Sequence, residues 1–143
     1  MTMLMPLLIG SALALAVSTC ATWIGFDRDR AFYPTVVVVN TSYYVLFSVL
    51  SGAPSTTTVE ISTATIFLAA ASLGFRYNLW LVVTALAAHA IFDVFHGSII
   101  SNPGVPSWWP AFCLAYDLTA AGFLAFTLIR TPGLSKPRVA TAP

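Results

Sequence analysis

The residues best placed to do chemistry lie in one stretch, Leu86–Ile100, which reads LAAHAIFDVFHGSII. It is an apolar run that carries His89, Asp93 and His96. At about 100° per residue, Asp93 falls about 40° to one side of His89 and His96 about 20° to the other, so all three share one helix face. Imidazole and carboxylate ligands at this spacing suit a divalent metal such as zinc, iron or manganese. His89 and His96 are about 10.5 Å apart along a helix axis, an awkward span for one ion. Two adjacent ions with Asp93 between them fit better. The same groups without metal make a proton relay, because a buried carboxylate and a neighbouring histidine can exchange a proton.

Such a face has to be carried by elements that tolerate it, and the rest of the chain identifies them as membrane helices. The chain has 143 residues, of which 58% are hydrophobic and 8% charged. Its mean hydropathy is +0.86. A soluble domain carries about 25% charged residues, so this chain cannot cover itself with polar surface and the bilayer is the expected solvent. A net charge of +1 excludes a nucleic-acid footprint. No phosphate loop, G-x-S-x-G element or dinucleotide fingerprint occurs. Cys20 and Cys113 sit in different apolar runs, form no metal-binding pair and read as small buried hydrophobes.

The expected fold is all-α, a single five-helix transmembrane domain over residues 1–130 with spans at about 3–23, 31–50, 56–75, 79–100 and 109–129. The first run lacks the basic start of a signal peptide and reads as a retained span. In it Gly10, Ala14 and Ser18 recur every four residues, a stripe that lets another helix approach closely. Val36–Val39 would suit a strand in water, but an open strand in lipid leaves its backbone groups unsatisfied. The third span is rich in Thr and Ser in its first half, and hydroxyls that bond back to the helix make this compatible with a span. Its Glu60, Thr63, Ala64 and Phe67 fall on one side, a stripe that should face protein. The Gly25–Arg30 segment, GFDRDR, reads as a solvated turn, and residues 131–143 as a disordered cytoplasmic tail. The Asn102–Pro110 loop is rich in Pro and Gly and directly follows the histidine helix, where it could lid a pocket.

Every Lys and Arg falls on alternate connections: Arg28 and Arg30 between spans one and two, Arg76 between three and four, and Arg130, Lys136 and Arg138 after span five. The positive-inside rule then places the N-terminus outside and the C-terminus in the cytoplasm, in a bacterial inner membrane. Trp23 and Trp80 mark the inner interface, and Trp108 and Trp109 the outer one. With about 1.5 Å per residue, His96 lies roughly 6 Å below the outer end of its helix, Asp93 about 10 Å and His89 about 16 Å. Glu60 lies about 6–8 Å down and Asp117 roughly 12 Å, and Asn40 and Tyr44, which share a face, fall in the same outer half or middle. An Asp at a helix centre costs roughly 2.5–3.5 kcal/mol on insertion scales. Grouping these residues around each other, a metal or water offsets that cost.

The segment His89–Asp117 resembles a family of small bacterial integral membrane proteins of unknown function. The resemblance rests on H-A-I-F-D-V-F-H (His89 to His96), N-P-G-V-P-S-W-W-P (Asn102 to Pro110) and F-C-L-A-Y-D (Phe112 to Asp117). It covers about a fifth of the chain and implies no activity.

The expected site is a polar pocket in the outer half of the bilayer. His89, Asp93 and His96 are the metal-ligand candidates, Asp117 and Glu60 the general base or further ligands, and Asn40 and Tyr44 their supporting partners. The expected function is a metal-dependent enzyme acting on a lipid or apolar substrate. A proton-coupled small transporter is the alternative, and a structural or accessory membrane subunit the third reading. In that third reading Asp93–His96 and Glu60–His89 are core pairs that fix helix register. The bilayer is the expected partner, and a homo-oligomer is compatible with the composition.

Overall fold

The computed structural model describes residues 3–137 and consists of α1 (Leu4–Ile24), α2 (Phe32–Leu50), α3 (Pro54–Arg76), α4 (Trp80–Ile99) and α5 (Trp109–Arg130), followed by a 3-10 turn over Pro132–Leu134. All five helices are long and apolar enough to cross a membrane, and no strand occurs among the described residues. Their bounds fall within two residues of those expected from the sequence. α1 packs on α5, α5 on α4, α4 on α3 and α3 on α2, with smaller contacts from α2 to α4 and α5. The first helix in the chain is therefore the neighbour of the last.

The bundle is polar inside and apolar outside. Leu8, Ile9, Ile66, Ile91, Val94, Phe95 and Ile129 are exposed, while Glu60, His89, Asp93, His96 and Asp117 are among its most buried side chains. In water this would strand both kinds of residue; in lipid it places each where it is least costly. The apolar core proper, with Val37, Val82, Leu86, Leu124 and Leu128 at its centre, fills the half towards the start of α4 and the end of α5.

Local signals explain the helix ends. Gly25 adopts a left-handed φ of 94°, and the Phe26 N–H reaches back to Ala21 O at 2.8 Å, a Schellman stop for α1. Pro54 and Pro110 sit in the first turns of α3 and α5, where a missing N–H leaves nothing unsatisfied. In the Thr-rich half of α3, Thr57, Thr58, Ser62, Thr63 and Thr65 each donate to the carbonyl four residues earlier. That bonding lets a polar stretch cross as helix.

Gly10, Ala14 and Ser18 are all buried, and a Cβ at Gly10 would collide with the Phe112 carbonyl of α5. Gly10→Val should therefore push α1 off α5 and cost about 1–3 kcal/mol, the usual range for overpacking. Thermal unfolding in detergent will read this, and an unchanged midpoint would rule out the close approach.

Three expectations are corrected. The Gly25–Arg30 turn is not simply solvated. Asp27 is buried and accepts from Thr22 Oγ1 at 2.7 Å. Arg30 has a left-handed φ of 74° and donates to Phe75 O at 2.8 Å and Leu134 O at 3.0 Å. Its guanidinium thus caps the carbonyl end of α3 and ties down the segment after α5. The first part of the expected tail is accordingly ordered, with Leu79 N–H donating to Ser135 O at 2.9 Å. The remainder, residues 138–143, lies outside the described residues. Finally, Trp23, Trp80 and Trp108 are exposed as interface anchors require, but Trp109 is buried. Its ring packs on Tyr43 and Phe47, with centroids 4.8 and 5.0 Å away, because it lies in the first turn of α5 and turns inward.

Candidate metal centre

Two adjacent helices each present a pair of side chains one turn apart: His89 and Asp93 on α4, Cys113 and Asp117 on α5. An i,i+4 pair lies on one face, so α4 against α5 brings all four together. Their donor atoms lie within 4.8 Å of one another, and all four residues are buried. His89 Nδ1 is 2.6 Å from Asp117 Oδ2 and 3.6 Å from Asp93 Oδ2. One imidazole nitrogen thus faces two carboxylates.

α2 supports both acids from the other side. Tyr44 donates its hydroxyl to Asp93 Oδ1 at 2.6 Å, and Asn40 donates its amide to Asp117 Oδ1 at 2.5 Å. These fix the rotation of each carboxylate and leave Oδ2 turned to the imidazole. Of the four buried polar side-chain atoms without a hydrogen-bond partner among the described residues, two belong to this cluster, Asp93 Oδ2 and His89 Nε2. Groups of this kind are costly to leave unsatisfied.

Glu60 and His96 form a separate pair. His96 Nε2 is 2.8 Å from Glu60 Oε1, which also accepts from the Asn102 amide at 2.8 Å. Asn102 donates in addition to the Tyr44 carbonyl at 3.0 Å. The Tyr44 ring stacks on the His96 imidazole at 4.0 Å between centroids, with planes inclined by 22°. Tyr44 therefore stands between the two groups, its ring on one and its hydroxyl on the other. The α4–α5 loop does lie over this end, and His96, Thr56, Ser101, Asn102 and Ser107 line an open groove there. Gly104 is required in that loop, since a Cβ would meet the Phe47 carbonyl of α2.

The structure thus brings His89 and Asp93 together with Asp117, and gives Asn40 and Tyr44 direct bonds to the two acids. It places His96 with Glu60, in a second group, so the pairs expected as register-fixers, Glu60–His89 and Asp93–His96, are not the ones that form. In the sequence Cys113 reads as a core hydrophobe; the structure buries it among the donors. Its spacing from Asp117 repeats that of His89 and Asp93, which was the available signal.

The donor set fits a metal. Thiolate, imidazole and carboxylate are the ligand types of zinc, and iron accepts the same mixture. A tetrahedral zinc with ligands at about 2.0–2.3 Å spaces them about 3.3–3.8 Å apart, so the widest pair here has to close by about 1–1.5 Å. The orphaned Asp93 Oδ2 gains a partner if a cation takes the place of the proton on His89 Nδ1. No family model, curated protein or solved structure matches the chain.

Proposed function

We propose that this chain is a metal-dependent protein of a bacterial inner membrane, with zinc or iron held by His89, Asp93, Cys113 and Asp117. The observation that carries the reading is four buried donor atoms of metal-binding type within 4.8 Å. Asn40 and Tyr44 orient the two acids, as the outer partners of metal ligands do. Manganese, which prefers oxygen ligands, fits less well once a thiol is among the donors. Four protein donors close a tetrahedral zinc, so chemistry on a lipid or other apolar substrate would need a position beyond these four, which iron with its larger coordination number would offer. The groove beside His96 is the approach we assign to that substrate, and Glu60, on the groove side, is its proton-transferring carboxylate. The distribution of Arg and Lys supports a cytoplasmic C-terminus: among the described residues Arg28, Arg30, Arg76, Arg130 and Lys136 all lie at one end of the bundle.

A second reading has its own observation. Two polar groups lie side by side, one made of Tyr44–Asp93 and Asn40–Asp117–His89, the other of Asn102–Glu60–His96, and Tyr44 bridges them with its backbone carbonyl on Asn102 and its ring on His96. Without metal, water or a side-chain movement that joins the two groups would make a proton relay open to the groove, the device of a proton-coupled carrier.

Metal analysis of the detergent-purified full chain decides between them. Near-stoichiometric zinc or iron is expected in the wild type, lost in both His89→Ala and Cys113→Ala while helix content persists. A wild type that holds no metal, even after loading with zinc, iron and manganese, removes the metal reading and leaves the relay.

A further inference from the structure

The basic end of the bundle contains a pocket of about 540 Å³ lined by Arg28, Arg30, Arg76 and Lys136, with Phe75, Leu134 and Pro137 as apolar walls. Its cations arrive from three places in the chain: the α1–α2 connection, the end of α3 and the segment after α5. Arg30 is occupied with carbonyls. Asp29 is the acid in the lining, and its Oδ1 already accepts the Ala31 N–H at 3.0 Å. Among the described residues Arg28, Arg76 and Lys136 form no ion pair. Three cations without an ion pair, one of them, Arg76, also over the Tyr77 ring at 5.7 Å, therefore converge on one concavity.

The pocket does not end at the basic loops. Phe75 and Arg76 also line the head of an apolar groove between α2 and α3, floored by Pro34, Val38 and Ala71. Val38 is shared with a further stretch along the same two helices, past Leu46 and Leu68 to Val49. From Pro34 to Val49 the groove runs roughly 22 Å along α2. One leaflet of a ~30 Å hydrocarbon core is about 15 Å thick, so the groove is long enough to take an acyl chain over the full depth of its leaflet. It lies on the outer face of α2 and α3, away from the His89 cluster between α4 and α5.

We propose that this composite surface binds one anionic phospholipid, its phosphate held by Arg28, Arg76 and Lys136 and one acyl chain lying in the α2/α3 groove. Charge complementarity selects an anionic head group, and the groove that opens from the same pocket selects a lipid over a soluble anion. The site sits where basic residues next to a membrane surface meet anionic head groups. It does not rest on the metal reading, since no residue is shared.

The test uses the full chain and measures lipid retained through repeated detergent washing, by native mass spectrometry, after exposure to phosphatidylglycerol or phosphatidylcholine. About one phosphatidylglycerol per chain is expected, with phosphatidylcholine retained at least tenfold less. The Arg28→Gln/Arg76→Gln/Lys136→Gln variant should lose the preference, at roughly fivefold or more in affinity per cation. These positions lie in loops and helix ends, so the bundle should persist. Val38→Trp, at an exposed position in the groove, should weaken phosphatidylglycerol retention with all cations in place. Glycerol phosphate, the head group without a chain, is the competing probe. Equal retention of both lipids overturns the proposal, as does retention unchanged in the triple variant. Binding of glycerol phosphate as tight as that of the lipid, with Val38→Trp silent, would assign the pocket to a soluble anion and overturn it as well.

Discussion

Asp117→Ala is expected to be the most damaging single substitution in the protein. It removes the acceptor 2.6 Å from His89 Nδ1 and the acceptor of the Asn40 amide in one step. Both donors are then left in an apolar interior, and breaking a buried pair from one side costs about 3–5 kcal/mol. One of the four donors of the proposed metal site disappears with it. Metal content should fall to background and the unfolding transition in mixed detergent should move well below that of the wild type. Asp117→Asn keeps the shape and one oxygen acceptor, so it should unfold between the two while still losing metal. A variant Asp117→Ala that unfolds with the wild type and retains its ion would show that the α4–α5 cluster neither holds the bundle nor binds the metal.

The second large effect concerns Glu60 and His96. Glu60→Leu leaves His96 Nε2 without its acceptor and takes one of the two acceptors of Asn102. We expect a loss of about 3–5 kcal/mol for the single variant. Adding His96→Leu should recover much of it, because replacing both partners by apolar groups of similar size leaves no stranded charge. A coupling of about 1–3 kcal/mol in the double-mutant cycle is the expected size for residues in direct contact. Metal content in the double variant should match the wild type, since the four-donor cluster is intact. Loss of the metal in a folded double variant would put His96 among the ligands and the cluster boundary in the wrong place.

Much of this architecture is legible in the sequence because its causes are local. Length, hydropathy and the alternation of Arg and Lys along the connections specify five spans, and the helix bounds follow from Gly25, Pro54 and Pro110. That Glu60, His89, Asp93, His96 and Asp117 would be buried follows from the cost of exposing them to lipid. Which of them meet does not, because pairing depends on how helices are rotated about their axes, and five apolar helices carry little pattern to set that rotation. For Glu60 depth was a usable signal, since at about 6–8 Å it matches His96 at about 6 Å and not His89 at about 16 Å, and the structure forms the Glu60–His96 pair. Cys113 was read as a hydrophobe because a lone cysteine in an apolar run is usually that, although its spacing from Asp117 repeated the α4 pair. Arg30 was beyond reach for a different reason: its acceptors at Phe75 and Leu134 lie 45 and 104 residues along the chain.

α5 leaves the ribosome last of the five helices, yet it is the neighbour of both α1 and α4 and brings Asp117 and Cys113 to His89. Until it arrives, Gly10, Ala14 and Ser18 lack their packing partner on α5, and His89 has Asp93 but neither Asp117 nor Cys113. α2, α3 and α4 can stack in chain order, but the bundle is complete only when α1 finds its main partner in α5. It closes in one late event, when a single insertion supplies the packing partner of the first helix and the missing half of the buried cluster. The four-donor site does not exist on any nascent chain shorter than this, so an ion found there would mark a chain in which α5 has already packed against α4.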